Sequence, residues 1–131
     1  MPSWLRWLLV VPAAWVGWSG AVLVGFWLHE LAQWSCPRAH VVSGMCTTPW
    51  FRYVDRVIFC IGAGLAAALV VVACTFVAPR HRGLVAVVTF VAGSVAAIAM
   101  GLIAGAFFEL ATALVVGALV TVWLRTAARE A

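Results

Sequence analysis

Residues 84–124 read LVAVVTFVAGSVAAIAMGLIAGAFFELATALVVGALVTVWL, and Glu109 is the single charged side chain among them. As one helix these residues would extend for about 60 Å, roughly twice the thickness of the hydrocarbon core of a bilayer. The chain must therefore fold back, and we expect the turn near residues 105–108. The stretch predicts two antiparallel membrane-spanning helices over about 84–104 and 108–124, of which the second is short.

Two further apolar runs precede this stretch. Residues 7–28 and 57–78 contain no charged side chain, and each run is long enough to cross a bilayer as a helix. We therefore predict an all-α integral membrane four-helix bundle, in which two helical hairpins form a single transmembrane domain over residues 1–131. The loop between the first two spans is expected at about 29–56. Three helices with a re-entrant segment near residues 101–109 are the alternative.

The composition excludes several classes of protein. Of the 131 residues, 66% are hydrophobic and 9% are charged, whereas about 25% of the residues of a soluble domain are charged. A chain this small cannot bury so much apolar surface inside itself, which rules out a soluble monomer. The eight basic residues are arginines set singly or in pairs beside apolar runs, a pattern typical of topology signals. The expected partners are membrane lipids and another membrane protein or copies of the chain itself, and no nucleic acid.

The arginines also predict the orientation of the chain. Four spans place both termini on one side of the membrane. The arginines on that side are Arg6, Arg80, Arg82, Arg125 and Arg129, and those on the other side are Arg38, Arg52 and Arg56. Short basic connections such as PRHRG at 79–83 stay in the cytoplasm. Because arginine without lysine, beside abundant alanine and valine, suggests a bacterial source, we expect a multi-pass inner (cytoplasmic) membrane protein with cytoplasmic termini and residues 29–56 in the periplasm.

Small residues recur every four positions in the spans. In lipid, helices associate through van der Waals packing, and small side chains let their backbones approach closely. The stripes are Ala13, Gly17, Ala21 and Gly25 in the first span, Gly93, Ala97, Gly101 and Gly105 in the third, and Ala113 and Gly117 in the fourth. The second span has Gly62 with Ala66 and Gly64 with Ala68. We interpret the stripes as helix-packing seams, which face either another helix of this chain or a partner protein.

The two halves of the chain show a weak similarity. Residues 25–32 read GFWLHELA and residues 105–111 read GAFFELA, so in both a glycine is followed by aromatic residues and then by Glu-Leu-Ala. This predicts a possible weak internal repeat, a duplicated hairpin whose halves are related by an axis along the membrane normal. The alternative is a chance match in a chain rich in alanine and leucine.

Cys36 and Cys46 lie in the loop that we expect in the periplasm, an oxidising compartment that favours disulfides. We predict that they form a structural disulfide. A redox-active pair is the weaker alternative, because the short Cys-x-x-Cys spacing is absent. A soft-metal site that combines these cysteines with His29, His40 and Met45 is another, but the spacing matches no tetrahedral zinc signature. We therefore expect no metal site and no cofactor.

Charged residues near one end of the spans form a candidate polar site. Glu109 interrupts the long apolar stretch, and acids at membrane depth are costly and often functional. If the repeat is real, Glu30 lies at a similar height, where arginines can neutralise both acids. We predict a polar cluster of Glu30, Arg52, Asp55, Arg56 and Glu109 that serves as a transport or partner site. The alternative is an interfacial Glu109, stabilised by the positive end of the fourth helix.

No arrangement of residues that the sequence can assemble indicates catalysis, so we expect no enzyme. The small size, the apolar spans and the small-residue seams favour a non-catalytic accessory subunit or an assembly or interaction factor of a membrane complex. The alternative is a small homo-oligomeric transporter, channel or lipid-handling protein that uses Glu109 or Glu30. The surroundings of Glu109 discriminate between the two hypotheses, because a transporter places this side chain on a path through the membrane.

Overall fold

A computed structural model describes residues 3–78 and 80–130 of the chain. Its elements are α1 (Ser3–Leu8), α2 (Val10–Trp34), a 3₁₀ turn (Arg38–His40), β1 (Val41–Val42), β2 (Met45–Cys46), α3 (Phe51–Val77), α4 (Arg82–Ala104) and α5 (Phe107–Glu130). Within the described residues, four segments are helical, long and apolar enough to cross a membrane: Trp4–Trp34, which joins α1 and α2, then α3, α4 and Phe107–Ala128 of α5. The predicted all-α four-helix membrane fold is confirmed.

The helices of the first hairpin extend beyond their apolar runs. α2 continues through His29 to Trp34, and α3 already begins at Phe51, so the connection between them covers residues 35–50 and is shorter than the expected 29–56. The extra turns carry polar side chains that bond to one another across the hairpin, since His29 of α2 pairs with Asp55 of α3. Hydropathy marks the apolar core of a span and does not mark the end of its helix.

α4 and α5 form a tight helical hairpin. α4 ends at Ala104, Gly105 adopts a left-handed φ of 66°, and the N–H of Ala106 donates to the carbonyl of Gly101, a common way to end a helix. The chain thus folds back where the sequence predicts, with two full helices instead of a re-entrant segment. The expectation of a short fourth helix was wrong. α5 has 24 residues against 23 in α4, because residues 125–130 are mostly good helix formers that continue it past the apolar run.

α3 is the central helix. α2 packs chiefly against α3, and α3 packs in turn against α5 and α4. An apolar cluster also joins α2, α3 and α4 near the end of the molecule where α2 starts, which we call the terminal end. Its members are Val10, Ala14, Val70, Cys74, Ala78 and Val85. The opposite end carries the 35–50 connection, and we call it the disulfide end. Over the described residues as a whole, α2 packs little against α4 or α5.

The possible internal repeat is not reflected in the fold. Glu30 lies within α2, close to its C-terminal end, whereas Glu109 lies in the first turn of α5. The two glycines that precede these acids behave differently, because Gly25 continues a helix while Gly105 ends one. The two Glu-Leu-Ala segments therefore occupy unlike positions, and the hypothesis of a duplicated hairpin was wrong in this respect.

Candidate functional site

A groove opens between α2 on one side and α4 and α5 on the other, with α3 as its floor. We call it the lateral groove. It contains two cavities of about 430 and 420 Å³, and ligand sites in proteins typically measure about 300–1,000 Å³. Both cavities are lined by Trp18, Ala63 and Ala66, so they form one continuous depression. The groove follows α3 from Ile58 to Val71, roughly 20 Å of helix.

Three glycines from three different helices line this groove. They are Gly25 of α2, Gly62 of α3 and Gly93 of α4. A Cβ atom added to any of the three would meet no atom of another helix within 4 Å. Glycine inside a helix lowers the stability of the helix by about 1 kcal/mol relative to alanine. At these three positions, no close contact within the chain requires a glycine.

Some residues of the predicted small-residue seams pack against other helices of the chain, and others line the open groove. In the first stripe Ala13 is half-buried, Gly17 and Ala21 are buried, and Gly25 lines the groove. In the third, Gly93 and Ala97 line the groove, Gly101 contacts Leu110, and Gly105 ends the helix. In the fourth, Ala113 lines the groove and Gly117 contacts Phe90. No stripe is a single continuous seam, because each helix crosses its neighbours over only part of its length.

Two ionisable side chains lie at the disulfide end of the groove. Glu109 from the first turn of α5 and His29 from α2 line the same cavity, which is otherwise apolar apart from the indole nitrogen of Trp18. Glu109 is half-buried, and among the described residues no cationic side chain comes within 4 Å of its carboxylate. The groove therefore combines an apolar interior with one unneutralised acid at its mouth.

His29 belongs to a hydrogen-bonded trio that joins α2 to α3. Its Nδ1 atom lies 2.9 Å from Oδ1 of Asp55, and its Nε2 atom lies 2.7 Å from Nε2 of Gln33. An amide nitrogen only donates, so this arrangement assigns Nε2 of His29 as the acceptor and Nδ1 as the donor to Asp55. Both imidazole nitrogens are thus bonded, and the charge of Asp55 is engaged within the hairpin.

The five residues of the predicted polar cluster all lie at the disulfide end, but they do not form ion pairs with one another. Among the described residues, the basic side chain closest to a carboxylate is His29, which is hydrogen-bonded to Asp55. Arg56 lies over the ring of Phe108, 5.2 Å from its centroid, while Glu30 and Arg52 are exposed. Sequence reasoning missed His29 and Gln33 as members of the site. Their spacing of four residues places them on one helix face, and this signal was available.

The 35–50 connection is a small hairpin closed by the disulfide. Cys36 and Cys46 are bonded, with their Cα atoms 5.9 Å apart, so neither sulfur is free to act as a thiolate metal ligand. β1 pairs with β2 in antiparallel register, with Val41 opposite Cys46. The turn between the strands uses positive φ angles at Ser43 and Gly44. Among the described residues no group of three or more histidine, cysteine or acidic side chains could hold a metal ion.

Replacing Cys36 and Cys46 together by serine is expected to loosen this hairpin and leave the four spans intact. A disulfide that closes a loop this short contributes about 2–3 kcal/mol to its order, whereas the spans pack through contacts elsewhere. Amide hydrogen exchange measures the effect: exchange across residues 36–47 should become much faster, while α3 remains protected. The matched control is Cys60→Ser, which removes a free thiol. Unchanged exchange in the double variant would contradict a structural role for the bond.

No protein-family model, curated protein or solved structure matches this chain. The functional conclusion therefore rests on the geometry of the groove and on the residues that line it.

Proposed function

We propose that the protein is a non-catalytic accessory subunit or interaction factor of a membrane complex, and that its lateral groove receives a transmembrane helix of a partner protein. The observation that carries this proposal is the convergence of Gly25, Gly62 and Gly93 on open space. Each glycine leaves room for the backbone of another helix, and none of the three is used by a helix of this chain.

A helix suits this groove better than a lipid chain does. Helices in lipid gain stability from close backbone approach over small residues, whereas an acyl chain packs against any apolar surface and needs no glycine. The roughly 20 Å length of the groove covers about two-thirds of a hydrocarbon core of about 30 Å. The side-chain oxygen of Ser94, a residue that lines the groove, is buried and has no hydrogen-bond partner among the described residues.

The proposal extends to the location of the protein, which is the bacterial inner membrane with both termini in the cytoplasm. The disulfide supports this orientation, because such bonds persist on the oxidising side of a membrane and Cys36–Cys46 lies at the disulfide end. Arg80 and Arg82 lie at the connection between α3 and α4, at the opposite end, where arginine-rich connections favour the cytoplasm.

A second candidate function is that of a small homo-oligomeric transporter, channel or lipid-handling protein. The observation that favours it is the presence of Glu109 and His29 in the wall of the same cavity, since ionisable side chains that face the interior of a membrane bundle often mark an ion or substrate pathway. Glu30, the other acid considered for this role, is exposed and does not line the groove.

Photo-crosslinking in the native membrane tests the proposed function. A photoreactive phenylalanine analogue in place of Trp18 faces the groove, and the same analogue in place of Leu23, which is exposed and does not line it, serves as the control. We expect position 18 to crosslink to one discrete partner protein, and position 23 to crosslink to lipid. Lipid adducts alone at position 18 would contradict the proposal. A ladder in steps of 14.0 kDa, the mass of this chain, would instead support the homo-oligomeric candidate.

A further inference from the structure

A second groove, which we call the furrow, lies between α3 and α5 on a face of α3 distinct from the lateral groove. It has a volume of about 650 Å³ and an almost entirely apolar lining. Cys60, Gly64 and Ala68 form its wall on α3 and Thr112 and Val116 its wall on α5. At the floor the helices come close, since a Cβ atom on Gly64 would lie 3.2 Å from the side chain of Val116.

One end of the furrow carries a guanidinium group. Arg56 lines the furrow, and its guanidinium lies over the ring of Phe108. Among the described residues no carboxylate comes within 4 Å of Arg56. Its neighbour in sequence, Asp55, is bonded to His29 on another face of α3. The furrow therefore presents an apolar slot with an unneutralised positive charge at the disulfide end.

The length of the furrow matches one leaflet of a bilayer. From Arg56 to Ala68 the wall on α3 extends for about 18 Å, and half of a hydrocarbon core measures about 15 Å. Arg56 follows the exposed aromatic residues Trp50 and Tyr53 by one to two turns. Since such aromatic side chains are typical of the membrane–water interface, the guanidinium lies near the level of the phosphate groups, and the slot continues toward the middle of the bilayer.

We propose that the furrow binds an anionic phospholipid of the leaflet at the disulfide end. The phosphate bonds to the guanidinium of Arg56, and one acyl chain lies along Cys60, Gly64 and Ala68. Arginine matches phosphate through two parallel N–H···O bonds. A zwitterionic lipid brings its own positive group beside the phosphate, whereas an anionic lipid neutralises Arg56 with a net negative headgroup. This inference concerns a different surface from the lateral groove, and it does not depend on the proposed binding of a partner helix there.

Native mass spectrometry of the full chain tests the site, with phosphatidylglycerol and phosphatidylcholine as the two probes at equal concentration. We expect one retained phosphatidylglycerol per chain, and we expect Arg56→Gln to weaken its binding by about tenfold, the loss of one charge-assisted hydrogen-bonded contact. Arg52→Gln is the matched control, because Arg52 lies one turn away, at the same end, and does not line the furrow. Arg56 is exposed, but its replacement also removes the contact with the ring of Phe108, so circular dichroism checks that the variant keeps its helices.

A second variant tests the position of the acyl chain. Ala68→Phe fills the inner part of the furrow, and we expect it to weaken phosphatidylglycerol binding while Arg56 is retained; circular dichroism checks that the variant keeps its helices. Equal retention of both lipids by the unmodified chain would overturn the proposal. Undiminished phosphatidylglycerol binding in Arg56→Gln, or an equal loss in Arg52→Gln, would overturn it as well.

Discussion

Gly17→Ala is expected to lower the free energy of unfolding by about 1–3 kcal/mol, the usual cost of an extra methyl group in a tightly packed contact. A Cβ atom at this position would lie 2.9 Å from the carbonyl oxygen of Leu69 and 3.1 Å from the backbone nitrogen of Val70. These are backbone atoms of α3, so no side-chain rotation relieves the clash, and α2 must move away from its principal packing partner. Titration with a denaturing detergent in mixed micelles or bicelles measures the free energy.

Gly20→Ala is the matched control, one turn along the same helix. The nearest atom to a Cβ atom there is Cδ1 of Leu69, at 3.9 Å, an ordinary contact with a flexible side chain. Because alanine is a better helix former than glycine, this variant should be as stable as the parent or more stable by up to about 1 kcal/mol. If both variants unfold at the same detergent fraction, the close contact between α2 and α3 is not present in the membrane.

Gly93→Leu is expected to weaken binding of the partner helix by roughly tenfold or more, while the chain itself loses no stability. A Cβ atom at this position would meet no atom of another helix within 4 Å, and Gly93 lines the lateral groove, so we expect the leucine side chain to extend into the groove. A leucine there occupies the space that the proposed partner needs, and overpacking of a seam costs about 1–3 kcal/mol. The measurement is the yield of the crosslink formed from position 18, together with the unfolding titration.

Val91→Leu provides the control for this variant. Val91 is exposed on α4 and does not line the groove, so an added methylene group there faces lipid. We expect its crosslink yield and its unfolding free energy to equal those of the parent chain. A Gly93→Leu variant with the same crosslink yield as the parent chain would show that the partner helix does not bind in the lateral groove. A Gly93→Leu variant that unfolds more easily would show that the space is already used within the chain.

The sequence alone was sufficient for the number of spans and for the turn between the last two. Free energies of transfer into lipid add up residue by residue along the chain, so the apolar stretch 84–124 and its length require a reversal near Gly105 whatever the helices contact. The pairing of Cys36 with Cys46 was equally accessible, because it depends on a short separation and on the redox state of one compartment.

The rotation of each helix about its axis was decided only by the tertiary structure. In a soluble bundle the inner face of a helix is apolar and the outer face is polar, so periodicity reveals which side packs. In lipid both faces are apolar, and the stripe that starts at Ala13 does not reveal that Gly17 contacts α3 while Gly25 faces an open groove.

The partners of the charged residues depend on that same rotation. Asp55 and Arg56 are neighbours in sequence, yet one bonds to His29 of α2 and the other lies over Phe108 of α5. Successive residues on a helix point about 100° apart, so which neighbouring helix each side chain meets follows from the packing of three helices around α3. The lateral groove and the furrow have the same origin. Both are spaces left between helices where the helices diverge, and the apolar pattern of the sequence does not show where that happens.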